Sequence, residues 1–96
     1  MVEYLIKRVD GEWFDLHVRD FKKAFRPNSD AFEQIGGEGE WRIRTQGVDV
    51  AFYYEDPGIQ ICIEGELSQG LIDDLVDEFR QNIELTTGQK GQIFSI

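Results

Sequence analysis

Between Trp41 and Glu64 apolar and polar residues alternate with a period of two, the pattern of strands that bury one face. Taking Gln46 and Gly47 as a two-residue turn sets Thr45 opposite Val48, Ile43 opposite Val50 and Trp41 opposite Phe52, all on one side of the pleat. Arg44 then faces Asp49 on the other side. A turn of Glu55, Asp56, Pro57 and Gly58 sets Tyr54 opposite Ile59, Phe52 opposite Ile61 and Val50 opposite Ile63, so a third strand extends the same apolar face. The far side carries Arg42, Arg44, Asp49, Ala51, Tyr53, Gln60, Cys62 and Glu64.

After Ser68 the period lengthens to 3.6. Ile72, Leu75, Val76, Phe79 and Ile83 form one apolar stripe, expected to lie on Val50, Phe52 and Ile61, while Asp73, Asp74, Asp77 and Glu84 fall opposite. Ser68 is placed as an N-cap accepting from the N–H of Leu71, Leu67 can staple onto Ile72, and Gly88 supplies the left-handed residue that ends the helix. Asp73, Asp74 and Asp77 lie in the helix's first half, where its dipole gives them a structural reason to be. A last strand, Gln92 to Ile96, follows a helix that crosses the sheet and is therefore expected parallel to another strand.

The first forty residues are less cleanly patterned. Val2 to Val9 reads as a strand and Asp10-Gly11 as a hairpin turn, giving a return strand Glu12 to Val18 that puts Leu5 opposite Leu16, Lys7 opposite Phe14, Tyr4 opposite His17 and Arg8 opposite Trp13. Phe14, Val18, Phe21 and Phe25 also recur at helical spacing, so a helix beginning between Trp13 and Asp20 competes. The favoured reading is a strand to about Val18 and a short helix from Asp20 to Phe25. Pro27 to Asp30 interrupts the chain, Ala31 to Ile35 is a short strand or one helical turn, and Gly36 to Gly39 is a loop. The fold expected is α+β: one domain over residues 1–96, its mostly antiparallel sheet covered on one face by a long C-terminal helix, with a short extra helix near residues 20–25.

Charge narrows the class of partner. The net charge is −9, and it is uneven: residues 1–46 carry eight Lys or Arg against nine Asp or Glu, residues 47–96 two against ten. A field of that sign repels phosphate backbones and attracts basic surfaces, which disfavours nucleic acid and suits a basic protein. No apolar run is long enough to span a membrane, and charges interrupt what would have to be a signal peptide, so a cytoplasmic protein is expected. The single cysteine, Cys62, agrees with a reducing compartment.

Groups that could do chemistry are few, and no cofactor is expected. His17 has no cysteine or serine elbow beside it, and an edge histidine is the plainer reading. Cys62 lies in mid-strand with no base or helix N-terminus to activate it. Glu55, Asp56, Glu64 and Glu66 lack the alternating spacing of a calcium loop. The glycines around Glu38 are followed by no lysine at phosphate-loop spacing. Trp13 and Tyr53 are the aromatics expected to be partly exposed, beside charges, as interface anchors.

The run EDPGIQICIEGELS, the helix DDLVDEFRQNIE and the ending TTGQKGQIFSI resemble the C-terminal half of small α+β immunity proteins from bacterial polymorphic toxin systems, over Val48 to Ile96 and chiefly at Pro57, Gly58, Glu64, Gly65, Asn82, Ile83 and Gly88. The resemblance implies a cytoplasmic protein that binds a toxin made beside it and blocks the toxin's active site. The leading expectation is therefore a non-catalytic inhibitor of a basic toxin or enzyme. Its interface would be the acidic C-terminal half and the outer sheet face, with Trp13, Tyr53, Glu55, Asp56, Glu64, Asp73, Asp74 and Asp77 as contact residues. Two rivals stand beside it: a structural or regulatory module that forms a homodimer through a sheet edge or the outer face, and a small enzyme built on Glu55, Asp56, Glu64 and His17.

Overall fold

The computed structural model describes residues 1–55 and 58–96, with the backbone alone for Glu55. In chain order the elements are β1 (Val2–Arg8), a 3₁₀ turn (Val18–Asp20), α1 (Phe21–Ala24), β2 (Phe32–Gln34), β3 (Trp41–Thr45), β4 (Val48–Glu55), β5 (Gly58–Glu64), α2 (Gln69–Thr87) and β6 (Gly91–Ser95). The strands form one six-stranded sheet in the order β2-β3-β4-β5-β1-β6. All its neighbours are antiparallel, and both helices belong to an α+β fold in which one sheet face is covered.

The meander keeps the register that its alternation predicts. Trp41 faces Phe52, Ile43 faces Val50, Thr45 faces Val48 and Arg44 faces Asp49; Val50 faces Ile63, Phe52 faces Ile61 and Tyr54 faces Ile59. Gln46 and Gly47 both have positive φ, at 52° and 78°, the combination of a type I′ turn whose twist matches that of the strands it joins. The loop predicted over Asp56 and Pro57 lies outside the described residues.

The core sits between this sheet and the two helices. Phe52 is its centre: the ring of Phe25 stacks on it at 4.5 Å and 2°, and Phe79 from α2 meets it edge-on at 4.9 Å. Ile72, Leu75, Val76, Phe79 and Ile83 are all buried, as their spacing predicts. Each such side chain contributes about 1.5–3 kcal/mol by leaving water. Helix α2 begins at Ser68, whose Oγ accepts from Leu71 N–H at 3.4 Å, and ends at Gly88 with φ 72°. Asn82, buried within α2, donates to Arg26 C=O at 2.7 Å, and Glu78 accepts from Asn28 N–H at 2.7 Å, so the end of α1 is tied to the middle of α2.

Two expectations are corrected. The Asp10-Gly11 turn forms, with Gly11 N–H donating to Arg8 C=O at 3.1 Å, but no return strand follows it. Leu5 is opposite Gln60 and Phe94 instead of Leu16, and Lys7 is opposite Gln92 instead of Phe14. The reason is that both edges of β1 are occupied, one by β5 and one by β6, leaving none for residues 12–18. Arg8 donates to Trp13 C=O at 2.8 Å and the chain swings beneath the sheet, where Phe14 and Leu16 are buried while Trp13, Asp15 and His17 are exposed. That alternation is real, but it fills the core from an irregular segment.

The last strand is parallel to another, as expected: it runs in the direction of β5, as a β-α-β crossover requires, with β1 between them, antiparallel to both. Finally, no acidic residue occupies the first turn of α2. Asp73 and Asp74 stand just beyond it, where the dipole has fallen off, so the helix terminus does not account for them.

Candidate functional site

Two surfaces carry the residues that the sequence points to, and they face opposite ways. Odd-numbered residues of β4 project from the sheet face that the helices leave open, while even-numbered ones meet α2. Tyr53 and Glu64 therefore lie on the open face; Asp73, Asp74 and Asp77 lie on the solvent side of α2, across the whole thickness of the domain. Trp13 belongs to neither. It is 46% exposed beside the sheet's covered side, its ring edge-on to Tyr54 at 5.4 Å. The side chain of Glu55 and all of Asp56 lie outside the described residues.

On the open face the glycine-rich loop folds back over β3 and β4. Gly37 and Gly39 have φ 133° and 101°, and a Cβ on Gly37 would meet Arg42 Cδ at 2.9 Å. This close approach helps bury Ala51 and holds the Arg42 side chain flat, only 14% exposed. Its guanidinium stands 3.6 Å from Asp49 and 3.7 Å from Glu64. Arg44 reaches Asp49 from the other side with Nε at 2.8 Å and Nη2 at 3.3 Å, and this pairing holds the Asp49 carboxyl below the usual carboxylate range. Two shallow depressions of about 480 and 250 Å³ flank Arg42, sharing Glu38 and Glu64.

Cys62 lines the smaller depression. Burial, and then the Glu3 carboxylate 3.7 Å from Sγ, push its thiol up to about 11, so at neutral pH it is a protonated, unreactive group. Tyr53 beside it is likewise raised, by burial and then by Glu38. His17 is far more open, with Asp15 Oδ1 at 3.8 Å. Among the described residues no group of three His, Cys, Asp or Glu is arranged to hold a metal ion. No helix among them is long and apolar enough to cross a membrane.

Sequence reasoning missed Glu3 and Glu38. Glu3 arrives through the pairing of Glu3 with Cys62, which joins residues far apart in the chain. Its signal was present all the same: in β1 Glu3, Leu5 and Lys7 alternate with the buried Tyr4 and Ile6.

On α2 the acidic residues outnumber the basic ones five to one: Asp73, Asp74, Asp77, Glu78 and Glu84 against Arg80. Arg80 bridges Asp77 at 2.7 Å and Glu84 at 2.8 Å, holding Asp77 below the usual carboxylate range. Asp73 accepts from the neutral amide of Gln69 at 2.8 Å and Asp74 is exposed, so neither faces a cation. Two leucines sit on the rim of this ridge, Leu71 and Leu85, the latter 82% exposed.

The chain matches no protein family, no curated protein and no solved structure with which it was compared.

Proposed function

We propose that this is a non-catalytic, cytoplasmic inhibitory protein of the immunity type, which recognises a basic toxin or enzyme through the solvent ridge of α2 and covers its substrate cleft. The observation that carries this reading is the difference between the two acidic surfaces. On the open sheet face Asp49 and Glu64 have Arg42 and Arg44 beside them, which cancels much of their field. On α2 a single arginine stands against five carboxylates, and Asp73 and Asp74 keep their charge toward solvent. Such a ridge steers a positively charged cleft into contact, and the exposed Leu71 and Leu85 at its rim supply the apolar contacts that fix the complex once it has formed.

The test begins with capture from the source lysate at low ionic strength and continues with the purified partner. Asp73→Lys with Asp74→Lys is expected to slow association at least about tenfold and to flatten its dependence on salt, as loss of electrostatic steering requires. Reversing Glu33 on the open face serves as the control and is expected to change neither. A partner that binds the doubly reversed chain at the unaltered rate, or one without a basic surface, would sink the reading.

A further inference from the structure

The two edges of the sheet are built differently. β2, at one edge, is three residues long and carries Glu33; β6, at the other, spans Gly91–Ser95, and neither it nor Ile96 has a charged side chain or a proline. Short charged edges resist pairing, whereas long neutral ones accept another strand. Pairing with β1 decides which backbone groups of β6 stay open. Val9 N–H donates to Lys90 C=O at 3.0 Å and Ile96 N–H to Glu3 C=O at 3.1 Å. By the antiparallel alternation Gln92 and Phe94 also bond to β1, and Gly91, Ile93 and Ser95 aim their backbone groups away from it. The N–H of Gly91 is taken by Glu84 Oε2 at 2.9 Å. The N–H and C=O groups of Ile93 and Ser95 remain open, with the C=O of Gly91.

We propose that a second copy of this chain docks on this edge, β6 against β6 and antiparallel, about a two-fold axis that passes through Phe94 perpendicular to the sheet. The two sheets then become one continuous sheet. In that register Ile93 faces Ser95 of the second copy and exchanges both backbone hydrogen bonds with it, so every open donor of the edge is satisfied and the Gly91 contact with Glu84 is undisturbed. Phe94, 44% exposed on the open sheet face, meets Phe94 of the second copy at a non-hydrogen-bonded position, the closer of the two kinds of cross-strand site. Lys7 Nζ, 5.9 Å from the Phe94 ring centroid, borders the pair.

The spacing of the open groups selects the second copy over an arbitrary strand: Ile93 and Ser95 stand symmetrically about Phe94, so the edge is complementary to itself. On the open face Glu3 lies across from Ile96 and Lys7 across from Gln92. The two-fold register sets Ile96 opposite Gln92 of the second copy, so each cross-strand row ends on Glu3 of one copy and Lys7 of the other, opposite charges about 14 Å apart that salt screens. At longer range two chains of charge −9 repel. Self-association therefore strengthens with added salt, opposite to capture of a basic partner, and it stands independently of the function proposed above.

Cysteine trapping tests the register. In a Cys62→Ser background, Phe94→Cys places two thiols across the axis at a Cα separation of about 4.5 Å, within disulfide reach, whereas two Gln92→Cys sites lie about 13 Å apart along the strands. Mild oxidation is expected to give a covalent dimer with Phe94→Cys and monomer with Gln92→Cys; equal yields, or none with Phe94→Cys, overturn the proposal. Light scattering of the unaltered chain is expected to rise from 11.1 kDa toward twice that mass with concentration and with salt. Ser95→Pro deletes an outward N–H that an edge strand can lose without unfolding, and it is expected to stay monomeric with an unchanged circular dichroism spectrum. An unaltered chain still monomeric at about 1 mM overturns the proposal, as does a Ser95→Pro chain that dimerises as the unaltered one does.

Discussion

A thiol in the middle of β5, Cys62, illustrates how a residue's chemistry follows from its neighbours. Partial burial and the Glu3 carboxylate raise it from 9.0 to about 11. Alkylation at pH 8 in the folded chain is therefore expected about 100-fold slower than in the same chain unfolded in urea, two pKa units being that ratio in thiolate. Equal rates would contradict both the burial of the thiol and the placing of Glu3 beside it. Packing decides the residues on the covered face in the same local way. Phe52, enclosed by Phe25 and Phe79, leaves a cavity if truncated, and Phe52→Ala is expected to lower stability by about 3–5 kcal/mol in urea denaturation. Glycines divide by what a methyl group would meet. At Gly58 an added Cβ would stand 2.5 Å from the Ile6 carbonyl oxygen, a backbone atom that cannot retreat without breaking the β1–β5 ladder. Gly47 faces open space and suffers only from its positive φ. Gly58→Ala is thus expected to cost more than Gly47→Ala, by about 1 kcal/mol or more.

Elements differ in how far they can be read from their own residues. The meander is legible because each of its pairings spans a short turn: the alternation of Ile43, Val50, Phe52 and Ile61 fixes the face, and Gln46-Gly47 fixes the register. Helix α2 is legible for a similar reason, its cap, stripe and terminator all lying within Ser68 to Gly88. The hydroxyl of Ser68 accepts at a long 3.4 Å, so Ser68→Ala is expected near the lower end of the usual N-cap loss, about 0.5–1 kcal/mol. β1 is a different case. Its partners lie near either end of α2, and nothing local marks them; the turn at Asp10-Gly11, which is local, pointed to a hairpin that tertiary pairing overrides. Residues 13–17 read as a strand because Phe14 and Leu16 do alternate with exposed neighbours. Phe14 nonetheless works as core: its Cζ would be 2.9 Å from a Cβ at Gly91, and its C=O accepts from the Tyr54 hydroxyl. Phe14→Ala is expected to destabilise about as much as Phe52→Ala, which no surface loop residue would do. The candidate site was legible to the same degree. Tyr53, Glu64 and the α2 aspartates follow from periodicity, whereas Glu3 reaches Cys62 only through the distant β1–β5 pairing.

For the whole molecule, pH sensitivity follows from groups shifted in two directions. Asp49 and Asp77 are lowered, chiefly by hydrogen bonds from Arg44 and Arg80, so the stability they add is present above the ordinary carboxylate pKa and is lost as pH falls through their lowered values. Tyr53, Tyr54 and Cys62 are raised by burial; their contribution is present below the ordinary values and is lost as pH rises through the raised ones. Urea midpoints are expected to form a plateau between about pH 5 and pH 8.5, falling on both sides. A midpoint that peaks near the isoelectric point of 4.4 would contradict this assignment. The central place of β1 bears on how the chain is made as well as on how it rests. Its last residue, Arg8, leaves the ribosome long before Glu64 completes β5, and at about 5–20 residues per second the delay is several seconds. During that interval Tyr4 and Ile6 have no sheet to join, and β6, the second neighbour, is made later still. Of these six strands the first made is therefore the one that must wait longest, and it is the strand of this sheet on which a chaperone has most to act.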